Sequence, residues 1–228
     1  NSQIKGVSGK KRIEKILIED STGGLSEIYS DFLCVSGGIN PDVHLFTQSK
    51  GLLDWDEKDL TYKPSKPFQP TITLGSASGQ FNLEKVCDEI NEKLKIFKNK
   101  ILDIKIELNT KESYQIEKLW EITPHKSSMW SKSFIDLQND VTTKDIRQAI
   151  SEGFDRIEHL KRYTTNSMGT DQGKISSINS LGIVSKLLNK KISEVGTTTY
   201  RPPYAPLSFS AIAGRSTYEF YDPQRKTP

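Results

Sequence analysis

The sequence predicts an α/β chain. Three observations carry that expectation. Residues 71–87, TITLGSASGQFNLEKVC, run from a β-branched apolar stretch through a turn of small residues into helical periodicity. A short apolar run, Phe32 to Val35, stops at Ser36-Gly37-Gly38, the pattern of a buried strand meeting a loop. In the second half, three stretches repeat their apolar residues at helical spacing.

The chain's 228 residues suffice for one large domain or two smaller ones. Charged residues make up 27% and hydrophobic residues 34%, as in an ordinary folded protein. The 32 basic and 29 acidic residues leave a net charge of +3 with no long run of one sign, which argues against a nucleic-acid-binding stripe. The two cysteines, Cys34 and Cys87, belong to no CxxC pair or His/Cys cluster. That excludes a disulfide framework, a zinc site and a thiolate-held iron–sulfur cluster. Both thiols are expected to be buried, which fits a reducing compartment and a cytoplasmic location. No apolar stretch reaches membrane-spanning length. The opening residues, NSQIKGVSGKKRIEKI, lack a Met and a signal-like apolar stretch, so a segment of a longer chain is expected.

The elements follow in order. Residues 12–18, RIEKILI, read as a strand, with a turn over Ser21 to Gly24. Phe32 to Val35 reads as a second strand, and Pro41 ends extended structure or starts a turn. Lys50 to Pro70 carries charges and Pro64, Pro67 and Pro70, and reads as an irregular excursion with a short hairpin. Thr71 to Leu74 reads as a strand, and Gly75 to Gly79 as a tight turn. A helix then follows with Phe81, Leu83, Val86, Cys87, Ile90 and Leu94 on its apolar face. Strand, glycine-rich turn and helix together aim backbone N–H groups and a helix N-terminus at a phosphate. The alternative is a bare strand-to-helix turn, since the chain contains no GxGxxG.

Residues 101–108, ILDIKIEL, read as a further strand leading into a linker, with Trp120 and Trp130 anchoring a wandering polar stretch. Thr142 to Gly153 reads as a helix capped by Thr142 or Thr143, with Asp145 in its first turn and Gly153 at its end. A second helix spans Asp155 to Tyr163. A polar loop, TTNSMGTDQGK, separates it from a third over Ser176 to Leu188. Thr197 to Thr199 favour extended backbone, and Pro202, Pro203 and Pro206 forbid helix where they stand. Tyr200, Tyr204 and Phe209 are expected to anchor this arm to a neighbouring surface.

Several of these segments resemble a known family. IDLQNDVTTKDI, SEGFDRIEHLKRYTTNSMGTDQGK and EVGTTTYRPPYAPLSFSAIAGR are similar to the central region of the alpha subunit of heterotetrameric sarcosine oxidase. SDFLCVSGGINPDVHLF and ITLGSASGQFNLEKVC resemble the reductase-like region just before it. The resemblance implies an α/β fold, the C-terminal part of a two-domain FAD/NAD-binding reductase-like architecture, over residues 1–98. It further implies a linker over 99–133, a small helical module over 134–190 and an extended proline-rich arm over 191–228 leading to a folate-binding domain. It also implies NAD in the complete alpha subunit, FMN at the interface with a beta subunit, FAD in that subunit, and tetrahydrofolate in the following domain. The implied partners are beta, gamma and delta subunits, with no nucleic acid and no membrane. The implied reaction is oxidative demethylation of sarcosine, with this segment inactive by itself. A related amine or opine dehydrogenase and a non-catalytic interface module remain as alternatives.

The helical segment also resembles the small [2Fe–2S] domain of bacterioferritin-associated ferredoxin type. Cysteines there sit near positions corresponding to Leu137, Asn139 and Asp171, none of which is a thiol here, so no iron–sulfur cluster is expected. Candidate dinucleotide contacts are Ser36, Gly37, Gly38, Gly75, Ser76, Ala77 and Gly79. Candidate flavin-phosphate contacts are Arg162, Thr164, Thr165, Asp171, Gln172 and Lys174, with Lys161 beside them. Arg201 and Tyr204 are candidates for contact with the flavoprotein subunit. His44, His125 and His159 have no evident catalytic partner in sequence, so no catalytic acid or base is assigned.

Overall fold

The structure is a computed structural model and describes residues 2–95, 106, 116–123, 133–202, 205–213 and 215. Strands β1 (Ser2–Ser8), β2 (Lys15–Asp20) and β3 (Leu25–Tyr29) form an antiparallel meander in the order β1-β2-β3. Asp20 closes its second turn by accepting the Thr22 N–H at 2.8 Å and the Gly24 N–H at 2.8 Å. Only Ile16 of this sheet is buried.

The run expected to be a buried strand is not one. Phe32 and Val35 are 83% and 82% exposed, and no strand pairs with them among the described residues. Apolar content cannot make a strand without a neighbour for its N–H and C=O groups. Cys34 is exposed for the same reason, against expectation, whereas Cys87 is buried. Thr71 to Leu74 likewise forms no strand.

Helix α1 (His44–Gln48) precedes the antiparallel hairpin β4 (Leu52–Asp56) and β5 (Thr61–Lys66). This is the hairpin expected within residues 50–70. Asp56 holds its turn by accepting the Lys58 N–H at 2.8 Å and the Asp59 N–H at 3.0 Å. Gly75–Ser78 form one 3-10 turn, and Gly79 takes φ +85° before helix α2 (Leu83–Leu94). Asn82 caps α2 by accepting the Lys85 N–H at 3.0 Å. The strand expected at 101–108 lies outside the described residues save Ile106, as do Trp130, His125 and Tyr204.

The core sits in the second half. Strands β6 (Phe134–Asp136) and β7 (Val141–Thr142) pair antiparallel and feed directly into helix α3 (Thr143–Ser151). Helices α4 (Ile157–Thr164), α5 (Ser177–Leu188) and α6 (Ile192–Val195) follow. The three long helices expected from periodicity are all present, each within about two residues of its expected bounds. Ile146, Leu160 and Val184 have essentially no exposed surface and form the centre of one cluster with Ile135, Val141 and Leu181. Tyr62 of the hairpin belongs to the same cluster, with Leu53 and Trp55 packed against it. Trp120 also docks there, its ring against the Gly182 backbone of α5.

The hairpin therefore shares the helices' core although about 80 residues separate them. The Tyr62 hydroxyl donates to the Ile192 carbonyl at 3.0 Å and the Gly196 carbonyl at 3.1 Å, tying the hairpin to α6. Residues 197–201, after α6, form no helix or strand, and Thr198 and Tyr200 among them are buried. Phe209 begins a short helix α7 (Phe209–Ala213) and is exposed in this chain.

Candidate functional site

The loop between α4 and α5 is held in an unusual shape. Thr165, Ser167 and Gln172 adopt φ of +60°, +63° and +51°, and Gly173 adopts +74°. Left-handed backbone at non-glycine residues costs energy, so the surroundings must over-determine it. They do so through β6 and the turn after it. The buried Asp136 carboxylate accepts the Ser167 N–H at 2.8 Å and the Gln138 and Asn139 N–H groups at 2.9 and 3.1 Å. Gln138 Oε1 accepts the Asp171 N–H at 3.1 Å, and Asn139 Nδ2 donates to the Thr165 carbonyl at 2.9 Å. From the other side, Ser167 Oγ lies 2.9 Å from Ser176 Oγ and accepts from Ser177 Oγ at 3.1 Å.

The loop does not close on Leu137, which is 69% exposed; it closes on the side chains of Asp136, Gln138 and Asn139. Among the described residues no group of three His, Cys, Asp or Glu could hold a metal ion.

The ordered loop forms one wall of a cleft of about 340 Å³ lined by Glu158, Lys161, Arg162, Met168, Gln172 and Arg201. The last turn of α4 supplies Lys161 and Arg162, the loop Met168 and Gln172, and the arm Arg201. Lys161 is only 7% exposed and donates from Nζ to the Thr199 carbonyl at 3.0 Å. Burial lowers its pKa; Glu158 opposes that shift, while Arg201 and Arg162 add to it. Glu158 also accepts the Thr199 N–H at 2.6 Å, so the arm is stitched to α4 at two points. Three cations thus face one partly apolar cleft with one carboxylate among them. That arrangement suits an anion carried on a larger apolar body.

The remaining loop candidates divide. Thr164 is spent internally, donating to the Leu160 carbonyl at 2.8 Å and accepting the Asn166 N–H. Thr165 and Asp171 shape the loop, Asp171 Oδ1 accepting the Gly173 N–H at 3.2 Å. Lys174 lies not at this cleft but at a second cavity of about 170 Å³, with His44, Tyr62 and Tyr200. His44 was beyond the reach of sequence reasoning, because its partner, the Gln172 carbonyl, is 128 residues away. Lys161 and Arg201 were legible as cations, but only the docked arm shows that they share a cleft.

The glycine clusters of the first third are arranged differently. Ser36, Gly37 and Gly38 lie exposed, and a Cβ on either glycine would meet nothing. At the Gly75 turn the Glu89 carboxylate of α2 accepts the Gly75 N–H at 3.2 Å and the Ser78 hydroxyl at 3.2 Å. Ser76 and Ala77 complete that turn, and Gly79 packs against the Lys63 side chain.

This α/β arrangement is similar in fold to one solved structure. The crystal structure of L-proline dehydrogenase from P. horikoshii matches 93% of this chain and 44% of its own, with a TM-score of 0.57 at 22% identity, a likeness of fold. Residues 130–215 match the sarcosine oxidase A3 domain. The sarcosine oxidase alpha subunit of Rhizobium meliloti (strain 1021) is 34% identical across 99% of this chain. That of Corynebacterium sp. (strain P-1) is 31% identical across 87%. The chain aligns to the sarcosine oxidase alpha-subunit family, a family of oxidoreductases. It spans about a fifth to a quarter of the length of these relatives, 23% and 21% respectively.

Proposed function

We propose that this chain works as part of a sarcosine oxidase alpha subunit and contributes the phosphate-binding wall of a flavin site at the boundary with a beta subunit. The observation that carries this reading is the cleft in which Lys161, Arg162 and Arg201 converge beside Met168 and Gln172. Its donor set, three cations and one amide with an apolar flank for the attached body, outweighs the one carboxylate in the cleft, Glu158, which lies 3.9 Å from Arg162 and accepts the Thr199 N–H. Bound there, FMN would supply the redox chemistry. The chain's own residues would bind and orient its phosphate, with Arg162 and Arg201 as the accessible cations and Lys161 held from below by Thr199.

The complete assembly, in this proposal, oxidises sarcosine to glycine with oxygen as acceptor. Hydrogen peroxide and formaldehyde, or 5,10-methylenetetrahydrofolate, are the further products. FAD resides in the beta subunit, tetrahydrofolate in a further alpha domain, and gamma and delta subunits complete a cytoplasmic heterotetramer. The relatives' printed name, sarcosine oxidase subunit alpha, and their alignment to this chain support its place in such an assembly. Among the described residues no helix is long and apolar enough to cross a membrane.

NAD contact at the Gly75 turn meets an obstacle in Glu89. The donors at Gly75 and Ser78 that would meet a pyrophosphate are taken by Glu89, and a phosphate beside that carboxylate would be repelled. The turn as it stands does not fit a phosphate. NAD contact there requires Glu89 to swing away. Ser36 to Gly38 remain an open approach surface in this proposal.

The test is titration of FMN into the chain, followed by quenching of flavin fluorescence, for the unaltered protein and for Arg162→Glu and Arg201→Glu. Saturable binding weakened by about tenfold or more in each variant is expected, because each reversal replaces a charge-assisted bond with repulsion. No saturable binding by the unaltered chain would remove the flavin reading.

A further inference from the structure

The cation cleft holds one side chain that repels an anion. Glu158 lines it together with Lys161, Arg162 and Arg201. Its two oxygens are used unequally. Oε1 accepts the Thr199 N–H at 2.6 Å, which fixes the carboxylate against the arm. Oε2 lies 3.9 Å from Arg162 Nη2, within ion-pair range but too far for a hydrogen bond. The side chain is 35% exposed, so the carboxylate is reachable from the cleft that it lines.

The electrostatics separate two kinds of ligand. Every phosphate entering the cleft is attracted by Lys161, Arg162 and Arg201 and repelled by Glu158. A plain alkyl phosphate gains nothing in return for that repulsion. A phosphate ester with hydroxyls on its chain does. When Arg162 holds the phosphate, a hydroxyl on the neighbouring carbons comes within reach of Oε2, and an O–H donated to a carboxylate is a charge-assisted bond. An ammonium group there would suit the carboxylate but would stand among three cations. The fit is therefore to a neutral donor.

We propose that Glu158 is a specificity-determining residue of the cleft. It accepts a hydroxyl from the chain attached to the bound phosphate, and so selects a phosphorylated polyol, such as the ribityl phosphate of FMN, over a plain alkyl phosphate. The inference rests on the flavin-phosphate reading of the cleft and deepens it. Specificity is a difference of affinities, and this carboxylate acts on both sides of the difference. It weakens every phosphate by repulsion and offsets that only where a hydroxyl is in reach. Because Oε2 is open to water, the bond replaces one to solvent. Its net effect is about tenfold in affinity, far below the factors of sealed sites.

Glu158 also clamps the arm, and the two roles move different quantities. A loosened arm displaces Arg201 and changes the affinity of all phosphates by a common factor. A lost hydroxyl acceptor changes the ratio between a ligand with hydroxyls and one without.

The experiment measures that ratio by titration, followed through flavin fluorescence. One ligand is FMN. The other is the same flavin on a plain pentyl phosphate chain, equal in charge but without hydroxyls. The unaltered chain is expected to bind FMN about tenfold more tightly than the second flavin. Glu158→Gln keeps an oxygen for the Thr199 N–H and removes the charge. It should bind the hydroxyl-free flavin more tightly than the unaltered chain does. Its preference for FMN should fall to about threefold or less, because a neutral amide is the weaker partner. Glu158→Ala should lose the preference altogether, whatever the freed arm does to both affinities.

If the unaltered chain binds neither flavin, the cleft reading falls and takes this inference with it. If it binds both equally, or if the preference survives in the variants, the cleft stands and the role of Glu158 is overturned. Should both variants fail to fold, the carboxyl carbon resonance of Glu158 in the unaltered chain carries the test. It must move further on binding FMN than on binding the hydroxyl-free flavin, and equal movements overturn the proposal.

Discussion

Asp136 shows how much of this structure hangs on single residues. Its buried carboxylate accepts three backbone N–H groups, and one of them, that of Ser167, comes from the far side of the loop. Asp136→Ala leaves those donors without an acceptor in a site closed to solvent, so a loss of about 2–4 kcal/mol is expected in urea unfolding. Asp136→Asn keeps one acceptor oxygen and should lose less. Gly173 is constrained twice over. Its φ is +74°, and a Cβ would stand 2.2 Å from Ser177 Oγ and 2.5 Å from Ser167 Cβ. Gly173→Ala should therefore lower the unfolding midpoint and also weaken anion binding, because the same loop carries Gln172. A variant as stable as the parent would contradict that account.

At the scale of elements, α3 is the clearest case of local sequence dictating local structure. The Asp145 carboxylate accepts the Thr142 N–H at 2.8 Å and the Thr142 hydroxyl at 2.7 Å, closing the helix start. Asp145→Ala should cost about 1 kcal/mol by thermal or urea unfolding, the usual scale for a lost cap. This cap was legible because a cap and its acidic partner lie within one turn. Helix α5 was legible for a different reason: Ile178, Leu181, Val184 and Leu188 recur at helical spacing, and all four are packed in the core or against it. Its contact with Trp120 was not. Gly182→Ala would put a Cβ 2.2 Å from the Trp120 ring, so that segment must shift or the helix must give. A fall in tryptophan burial, seen as a red shift in its emission, is the expected readout.

At the scale of the whole molecule, two buried rings join the hairpin region to the helices, and each contributes to one limb of the pH profile. Burial raises the Tyr62 pKa from 10.0 to about 12. Its contribution is present below pH 10 and is lost as pH rises through the folded value. Burial lowers the His44 pKa from 6.5. Its contribution is present above pH 6.5 and is lost as pH falls through the lower folded value. The melting temperature should therefore plateau near neutrality. Tyr62→Phe should flatten the alkaline limb and His44→Phe the upper part of the acid limb; unchanged limbs in both would disconnect these rings from stability.

The sequence by itself determined the helices of the second half, the cap of α3, the hairpin within residues 50–70 and the family to which the chain aligns. Each of these depends on residues within a few turns of one another, or on long matching segments. Only the tertiary structure decided that the hairpin shares the helical core, that Phe32 and Val35 face solvent, and that Glu89 occupies the glycine turn. It likewise decided that Lys161, Arg162 and Arg201 meet in one cleft while Lys174 turns to another. The physical reason is common to all of them: hydrogen-bond partners and burial are properties of neighbours in space. His44 and Gln172, 128 residues apart, carry no local sign that they touch.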